Sequence, residues 1–468
     1  MIENLRNKFV ENPQSLRNYY NDLDKLIESK KDLNVFITYD KSFVDQQVEK
    51  LIEKAKNNEK LGKMFGVAVS VKDNINVKDL KMTCGSKMLE DYVSIYDATV
   101  IKKLKEEDCI IVGKVNMDEF AMGSSSETSY FGPTKNPVDT KLIPGGSSSG
   151  SAASIKAEMA VVSLGTDTGG SSRQPASCCN VVGFMPTYGS ISRFGVQSMA
   201  NTLDEVGILS NSVEDIMDTY NIIAGHDDND MTTIQSKVNV QKKDYDFKGK
   251  KIAVVDLKKY SKDETVIKEY QEILEILKKL GADLVEIDFE YLKYANALYN
   301  VIVTSEVSSN MSRFDGIRYG YLTDDYENTR DLFVKVRSEG FGEEVKRRIA
   351  MGTFYLASSN DQKVYKQGLK VRNLLSQEFK NIFKDFDFIA TPTMTSLPYE
   401  LDSRKDDPLA VYDSGIFNVI VNLSGLCAIS IPYKSGISTS LQLIANSHDE
   451  ENLLNAALAF ERLTIKSQ

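Results

Sequence analysis

The order of apolar and polar positions divides the chain into three stretches. Over residues 1–60 charged residues dominate, and Phe43, Val44, Val48, Leu51, Ile52 and Ala55 recur at helical spacing with Lys and Glu on the opposite face. That pattern predicts a helical N-terminal segment packed on a larger body. From 61 to 225 the texture changes to short apolar runs, Gly and Ser clusters and loops of small residues. The runs at 66–71 (GVAVSV) and 110–115 (IIVGKV) predict buried strands. Residues 227–247 are polar and read as a surface excursion. After them, 251–256 (KIAVVD), a helix from about 264 to 280 closed by Gly281, and 283–288 (DLVEID) predict a strand–helix–strand unit. Helices follow to about 386, and 388–393 (FIATPT) predicts another buried strand. There is no internal repeat. Strands alternating with helices predict one α/β layered domain over 1–468, with 61–225 as its core and 226–468 completing the sheet.

Composition narrows the function classes. Of 468 residues, 41% are hydrophobic and 26% charged, a globular balance. Lys and Arg number 57 against 67 Asp and Glu, a net charge of −10, so tight unaided binding of nucleic acid is not expected. Any nucleic acid would be held by a partner. Five cysteines without a CxxC pair indicate neither a disulfide framework nor a zinc ribbon, and fit a reducing compartment. With no run of 18 apolar residues and a polar start, the expectation is a soluble protein without membrane contact, cytoplasmic or in an organelle lumen. The two histidines, His226 and His448, both lie in acidic turns. A Ser-His-Asp triad or a histidine-rich metal site is therefore hard to build; no metal is expected, and any hydrolytic base must be another residue.

Two small-residue segments remain to be explained: 144–153 (PGGSSSGSAA) and 165–175 (GTDTGGSSRQP). Each is short and flanked by apolar residues, so converging backbone N–H groups explain the glycines better than a flexible linker does. Neither a GxxxxGK[ST] loop nor a GxGxxG turn opening a helix occurs, which argues against phosphate cradling. An oxyanion hole fits. Ser171 follows two glycines, and the N–H groups of Thr168, Gly169, Gly170 and Ser171 are its candidate donors. Lys72, at the end of the strand GVAVSVK, is the candidate base, because burial disfavours its ammonium form.

Lys72, GGSSSGS and TDTGGSSRQP, in that order, resemble the amidase signature family, most strongly over 61–225. The resemblance implies an α/β/α sandwich around a large central mixed sheet. It implies Ser171 as nucleophile, Ser147 as a bridging serine after a cis peptide, and Lys72 as general base. Ser148, Ser149 and Ser151 read as helix-start and packing residues, and Arg173 and Gln174 as braces of the loop. The flanking segments 116–137, 186–196 and 339–354 are similar to the A subunits of glutamyl-tRNA(Gln) amidotransferases, a subfamily. That similarity implies glutamine as substrate and the amidotransferase B and C subunits as partners. It also implies tRNA held through the B subunit, and ATP and Mg used by that partner, with no cofactor in this chain. By the same resemblance Arg348 grips the substrate carboxylate, Tyr299 lines the pocket, and Gly123, Ser124 and Ser125 form another wall. As one of two adjacent arginines on a charged helix, Arg348 has a solvated face as its alternative reading.

Three positions depart from the family pattern. Ser149 replaces a glycine, Met185 replaces a lysine, and Gly415 stands where glutamine-dependent members carry an aspartate for the substrate ammonium, with Asp413 two residues earlier as a substitute. Gly415 keeps open a stand-alone amidase acting on another small amide. A non-catalytic scaffold is the other alternative, against which the intact Lys72, Ser147 and Ser171 argue.

Overall fold

The computed structural model describes residues 1–235, 238–357, 362–404 and 414–465. These residues contribute eleven strands to one sheet: β1 (Phe36–Tyr39), β2 (Ala68–Lys72), β3 (Ile110–Val115), β4 (Val162–Asp167), β5 (Val182–Met185), β6 (Glu205–Ser210), β7 (Lys251–Val254), β8 (Asp283–Glu286), β9 (Phe388–Pro392), β10 (Cys427–Pro432) and β11 (Ser440–Ala445). Their spatial order is β1-β3-β2-β4-β6-β5-β10-β11-β9-β7-β8. The pairs β2–β3, β2–β4, β7–β8 and β7–β9 are parallel and the remainder antiparallel, so the sheet is mixed, as expected. Strands β2, β3 and β4 are buried along their whole length, which is why β2 and β3 read as apolar runs rather than alternating ones.

Side-chain alternation in β6 separates the two layers that cover the sheet. Leu209 packs with Ala152, Ile155 and Ala176 from the short helices Ser149–Lys156 and Arg173–Cys178, and with Cys179 just beyond the second. Val206 and Ile208 belong instead to the main core, together with Phe184 and Tyr220. Both short helices put small residues, Ala152 and Ala176, against Leu209, and their N-termini lie at the ends of β2 and β4.

The N-terminal stretch differs from expectation at one place. Helices Ile2–Glu11, Ser15–Ser29 and Lys41–Lys56 are present, but Phe36–Tyr39 is an edge strand antiparallel to β3. An aromatic and β-branched run suits a strand, and it pairs with backbone groups of β3 that would otherwise form an open sheet edge. The strand–helix–strand unit after 250 is present as β7, the helix Glu264–Lys279 and β8, with Gly281 at φ +101° just beyond the helix. Among the described residues no helix is long and apolar enough to cross a membrane.

Candidate active site

The site forms where β2 and β4, parallel neighbours, end side by side. Lys72 is the last residue of β2 and is fully buried. Its Nζ lies 2.8 Å from Ser147 Oγ, 2.8 Å from Ser148 Oγ and 2.8 Å from Thr166 Oγ1. Burial pushes its pKa down to about 7, although the carboxylates of Asp118, Asp167 and Asp204 pull it back up. Near neutrality a large share of Lys72 is therefore a free amine.

The surrounding hydrogen bonds give the Lys72 amine acceptors besides Ser147. Ser148 Oγ donates its only proton to the Thr166 carbonyl at 3.0 Å, so toward Lys72 it accepts. Asn74 Nδ2 donates to Thr166 Oγ1 at 3.1 Å, keeping that oxygen in place beside Lys72. A neutral Lys72 that donates to Ser148 and Thr166 leaves its lone pair for the Ser147 hydroxyl. Ser148 is thus more than the helix-start residue the sequence suggested. Thr166 and Asn74 were not anticipated at all, because the β2–β4 register is what brings Thr166 to both Lys72 and Asn74.

Ser147 follows a cis peptide bond from Gly146. Its carbonyl accepts the Asp118 N–H at 3.2 Å, and the next N–H, that of Ser148, donates to the Ser171 carbonyl at 3.0 Å. The two serine segments are therefore tied through backbone. Ser147 is fully buried, whereas Ser171 is partly exposed, as an attacking group must be.

The loop from Thr168 to Ser172 is shaped by Asp167. Arg173 reaches Asp167 with Nε at 3.1 Å and Nη2 at 3.0 Å, both side chains wholly buried. Arg173 also donates to Gln442 Oε1, the Asn418 carbonyl and Asn422 Oδ1. Burial alone would raise the Asp167 pKa, but Arg173 and the loop donors hold it well below the usual carboxylate range. Arg173 is a brace. Gln174 Nε2 makes a longer contact, 3.4 Å to the Ser124 carbonyl.

One expected oxyanion donor is overturned. The Gly170 N–H donates to Asp167 Oδ1 at 2.7 Å and is not available for a substrate oxygen. Gly170 instead supplies a backbone turn at φ +115° that a side chain would strain. Among the described residues no acceptor engages the N–H groups of Thr168, Gly169 or Ser171, which remain the candidate donors. Thr168 is held by its Oγ1, which donates to the buried Asp204 carboxylate at 2.8 Å.

The substrate-facing candidates fall into place unevenly. Tyr299, on the helix Ala295–Asn310, lays its ring over Gly169: a Cβ there would stand 2.6 Å from the ring edge and 2.8 Å from the hydroxyl. The Gly123–Ser125 wall runs beside Gly146, where a Cβ would meet Ser124 and Ser125 backbone at 2.9 Å and Asp118 Oδ2 at 2.0 Å. Arg348 is 3% exposed and pairs with Glu344 at 2.7 Å, so the solvated-face reading is overturned. Its helix, Glu343–Leu356, packs on the Tyr299 helix so tightly that a Cβ at Gly352 would overlap the Thr304 carbonyl. Asp413 lies outside the described residues. Gly415 caps the helix Ile416–Ser424 and its carbonyl accepts the Asn418 N–H at 2.8 Å. Among the described residues no group of three or more His, Cys, Asp and Glu side chains is placed to hold a metal ion.

The chain is similar to known proteins over almost its whole length. The amidase family profile matches residues 19–454. The A subunit of the glutamyl-tRNA(Gln) amidotransferase of Fusobacterium nucleatum is 44% identical over 98% of this chain and 95% of its own. The corresponding A subunit of Clostridium acetobutylicum, the one numbered 2, is 42% identical over 98% of both chains. The crystal structure of the glutamyl-tRNA(Gln) amidotransferase A subunit from Thermotoga maritima superposes with a TM-score of 0.80 at 36% identity, covering 97% of this chain and 92% of that one. A bacterial aryl acylamidase of the amidase signature group has a TM-score of 0.84 at 21% identity over 97% of this chain and 94% of its own, a likeness of fold alone.

Proposed function

The chain belongs to the amidase family, and from that premise we propose that it hydrolyses glutamine as the A subunit of a glutamyl-tRNA(Gln) amidotransferase. The observation that carries the proposal is the buried, near-neutral Lys72 touching Ser147, within a chain similar over almost its whole length to such subunits.

In this reading Lys72 takes the proton of Ser147 as Ser147 takes that of Ser171, and Ser171 Oγ bonds to the amide carbon. The carbonyl electron pair moves onto oxygen, where the N–H groups of Thr168, Gly169 and Ser171 receive the charge. On collapse the C–N bond breaks, and the proton returns through Ser147 to the leaving nitrogen, which departs as ammonia. Water then attacks the acyl-enzyme, gives its proton to the same relay, and frees glutamate and Ser171. Tyr299 and the Gly123–Ser125 wall bound the side chain of the substrate, and Arg348 takes its carboxylate. The ammonia is passed on to convert Glu-tRNA(Gln) to Gln-tRNA(Gln). The net charge of −10 suits a division of labour in which the B subunit holds the tRNA and uses ATP and Mg, with the C subunit completing a cytoplasmic heterotrimer.

The test is ammonia release from glutamine and from propionamide by the full-length chain, alone and co-expressed with the B and C subunits. Ser171→Ala is expected to lose about 10⁴-fold or more in kcat, because the members of such a unit act together. A folded Ser171→Ala protein retaining more than about a tenth of wild-type activity refutes the nucleophile assignment. One observation favours a second reading, a stand-alone amidase: Gly415 offers no side chain to a substrate ammonium. Equal turnover of propionamide and glutamine, with no association with those two subunits, would establish that reading instead.

A further inference from the structure

We infer that Glu119 is a positioning residue that sets selectivity for carboxylate-bearing amides, by clamping the helix that carries Arg348 to the backbone that carries Ser147. The inference deepens the glutaminase reading and rests on it.

Glu119 directly follows Asp118, whose N–H holds the Ser147 carbonyl. Its own N–H donates to Thr128 Oγ1 at 3.0 Å, fixing the loop that contains Gly123, Ser124 and Ser125. Its carboxylate, on a residue only 2% exposed, points the other way. There it accepts the Gly342 N–H at 2.9 Å and 3.2 Å and the Ser86 hydroxyl. Gly342 is the N-cap of the helix Glu343–Leu356 and has no side chain with which to cap it. Glu119 supplies that cap from 223 positions away in sequence. A carboxylate at this end of a helix satisfies an orphan N–H and meets the positive end of the helix dipole.

The approach is close and has an apolar companion. A Cβ at Gly342 would stand 2.4 Å from Glu119 Oε2, so a side chain there would push the carboxylate aside. Next to it in the chain, Phe120 packs edge-on against Phe341, with ring centroids 5.6 Å apart. Two consecutive residues, Glu119 and Phe120, therefore grip the two residues that open the Arg348 helix. The same short segment sets the position of Ser147. Any slackening of the clamp changes the separation between the carboxylate grip and the serine pair. That separation matters for glutamine and not for an amide without a carboxylate.

The experiment compares kcat and KM for glutamine and propionamide in the full-length chain, in the assembly with the highest glutaminase activity. Glu119→Gln is expected to raise the glutamine KM and lower selectivity for glutamine over propionamide about tenfold, the equivalent of one lost hydrogen bond. Gly342→Ala, which forces the carboxylate away from the other side, is expected to lower the same ratio and keeps the test decisive should Glu119→Gln fail to fold. A ratio within about twofold of wild type in a folded variant, or equal losses on both substrates, overturns the clamp and leaves Glu119 a structural cap. A wild-type chain with no preference for glutamine refutes the glutaminase reading before either variant is compared, and the clamp with it.

Discussion

Lys72 Nζ stands 2.8 Å from Ser147 Oγ, and neither side chain reaches solvent. Burial lowers the lysine pKa to about 7, so its working form is the neutral amine, present above that pH. Activity is therefore expected to rise with pH through a single ionisation near 7 and to level off well below 10. Lys72→Arg should be nearly inactive, since a guanidinium stays protonated throughout. A flat profile between about pH 6 and 10, or an active arginine variant, removes Lys72 from the role of base. The same shift has a stability sign. Between about 7 and the ordinary lysine value of 10.5 the unfolded chain binds a proton that the folded chain does not. The Lys72 contribution to stability thus rises with pH across that window, and comparison with Lys72→Met in denaturant titrations at several pH values isolates it.

The two other acceptors around Lys72 give a separate test. The ammonium form donates to Ser147, Ser148 and Thr166 together, whereas the amine needs only the latter two. Thr166→Val removes one acceptor, which costs the charged form more than the neutral one. The apparent pKa of the activity profile should fall below that of wild type. In addition kcat should drop roughly tenfold to a hundredfold, because the lone pair is no longer aimed at Ser147. An unshifted profile with a lowered kcat would mean that Thr166 acts on packing alone.

Arg173 and Asp167 form a wholly buried ion pair whose remaining donors and acceptors are all engaged. Arg173→Met leaves the Asp167 carboxylate without its counter-charge. Destabilisation of about 3–5 kcal/mol is expected, read as a shift in urea midpoint. Activity should fall with it even where the protein remains folded, because Asp167 also fixes the Gly170 turn. A loss of less than about 1 kcal/mol would show that the pair is dispensable to the loop.

How much of this was legible in the sequence follows from how local each feature is. Strands β2 and β3 were visible as contiguous apolar runs because parallel strands buried on both faces need no alternation. Strand β1 was hidden, since Phe36–Tyr39 is four residues long and lies between two amphipathic helices. Lys72 and Ser171 stood out from their own short segments, and Ser147 was picked from its run of three serines by the family resemblance. Ser148 and Thr166 did not, because their meeting with Lys72 comes from the β2–β4 register and the turn at Ser147. The loss of Gly170 as a donor did have a signal: Asp167 lies three residues before it, the spacing at which an aspartate side chain accepts a downstream N–H. The burial of Arg348 had none in its neighbourhood, since it is imposed by the helix bearing Tyr299.

Substrate choice is most directly tested at Gly415. It caps the helix Ile416–Ser424 at φ −105° and ψ 14°, outside the region reserved for glycine. An aspartate there is therefore free of backbone strain and is a favoured cap residue, worth a few tenths of a kcal/mol over glycine. If glutamine is the substrate and its ammonium is met by a partner weaker than a carboxylate at this position, Gly415→Asp should lower the glutamine KM, by about threefold to tenfold, while leaving the KM for propionamide within about twofold. The melting temperature should not fall. Should the aspartate instead raise the KM for glutamine and for propionamide alike, position 415 faces a substrate without an ammonium, and the chain is an amidase for another small amide.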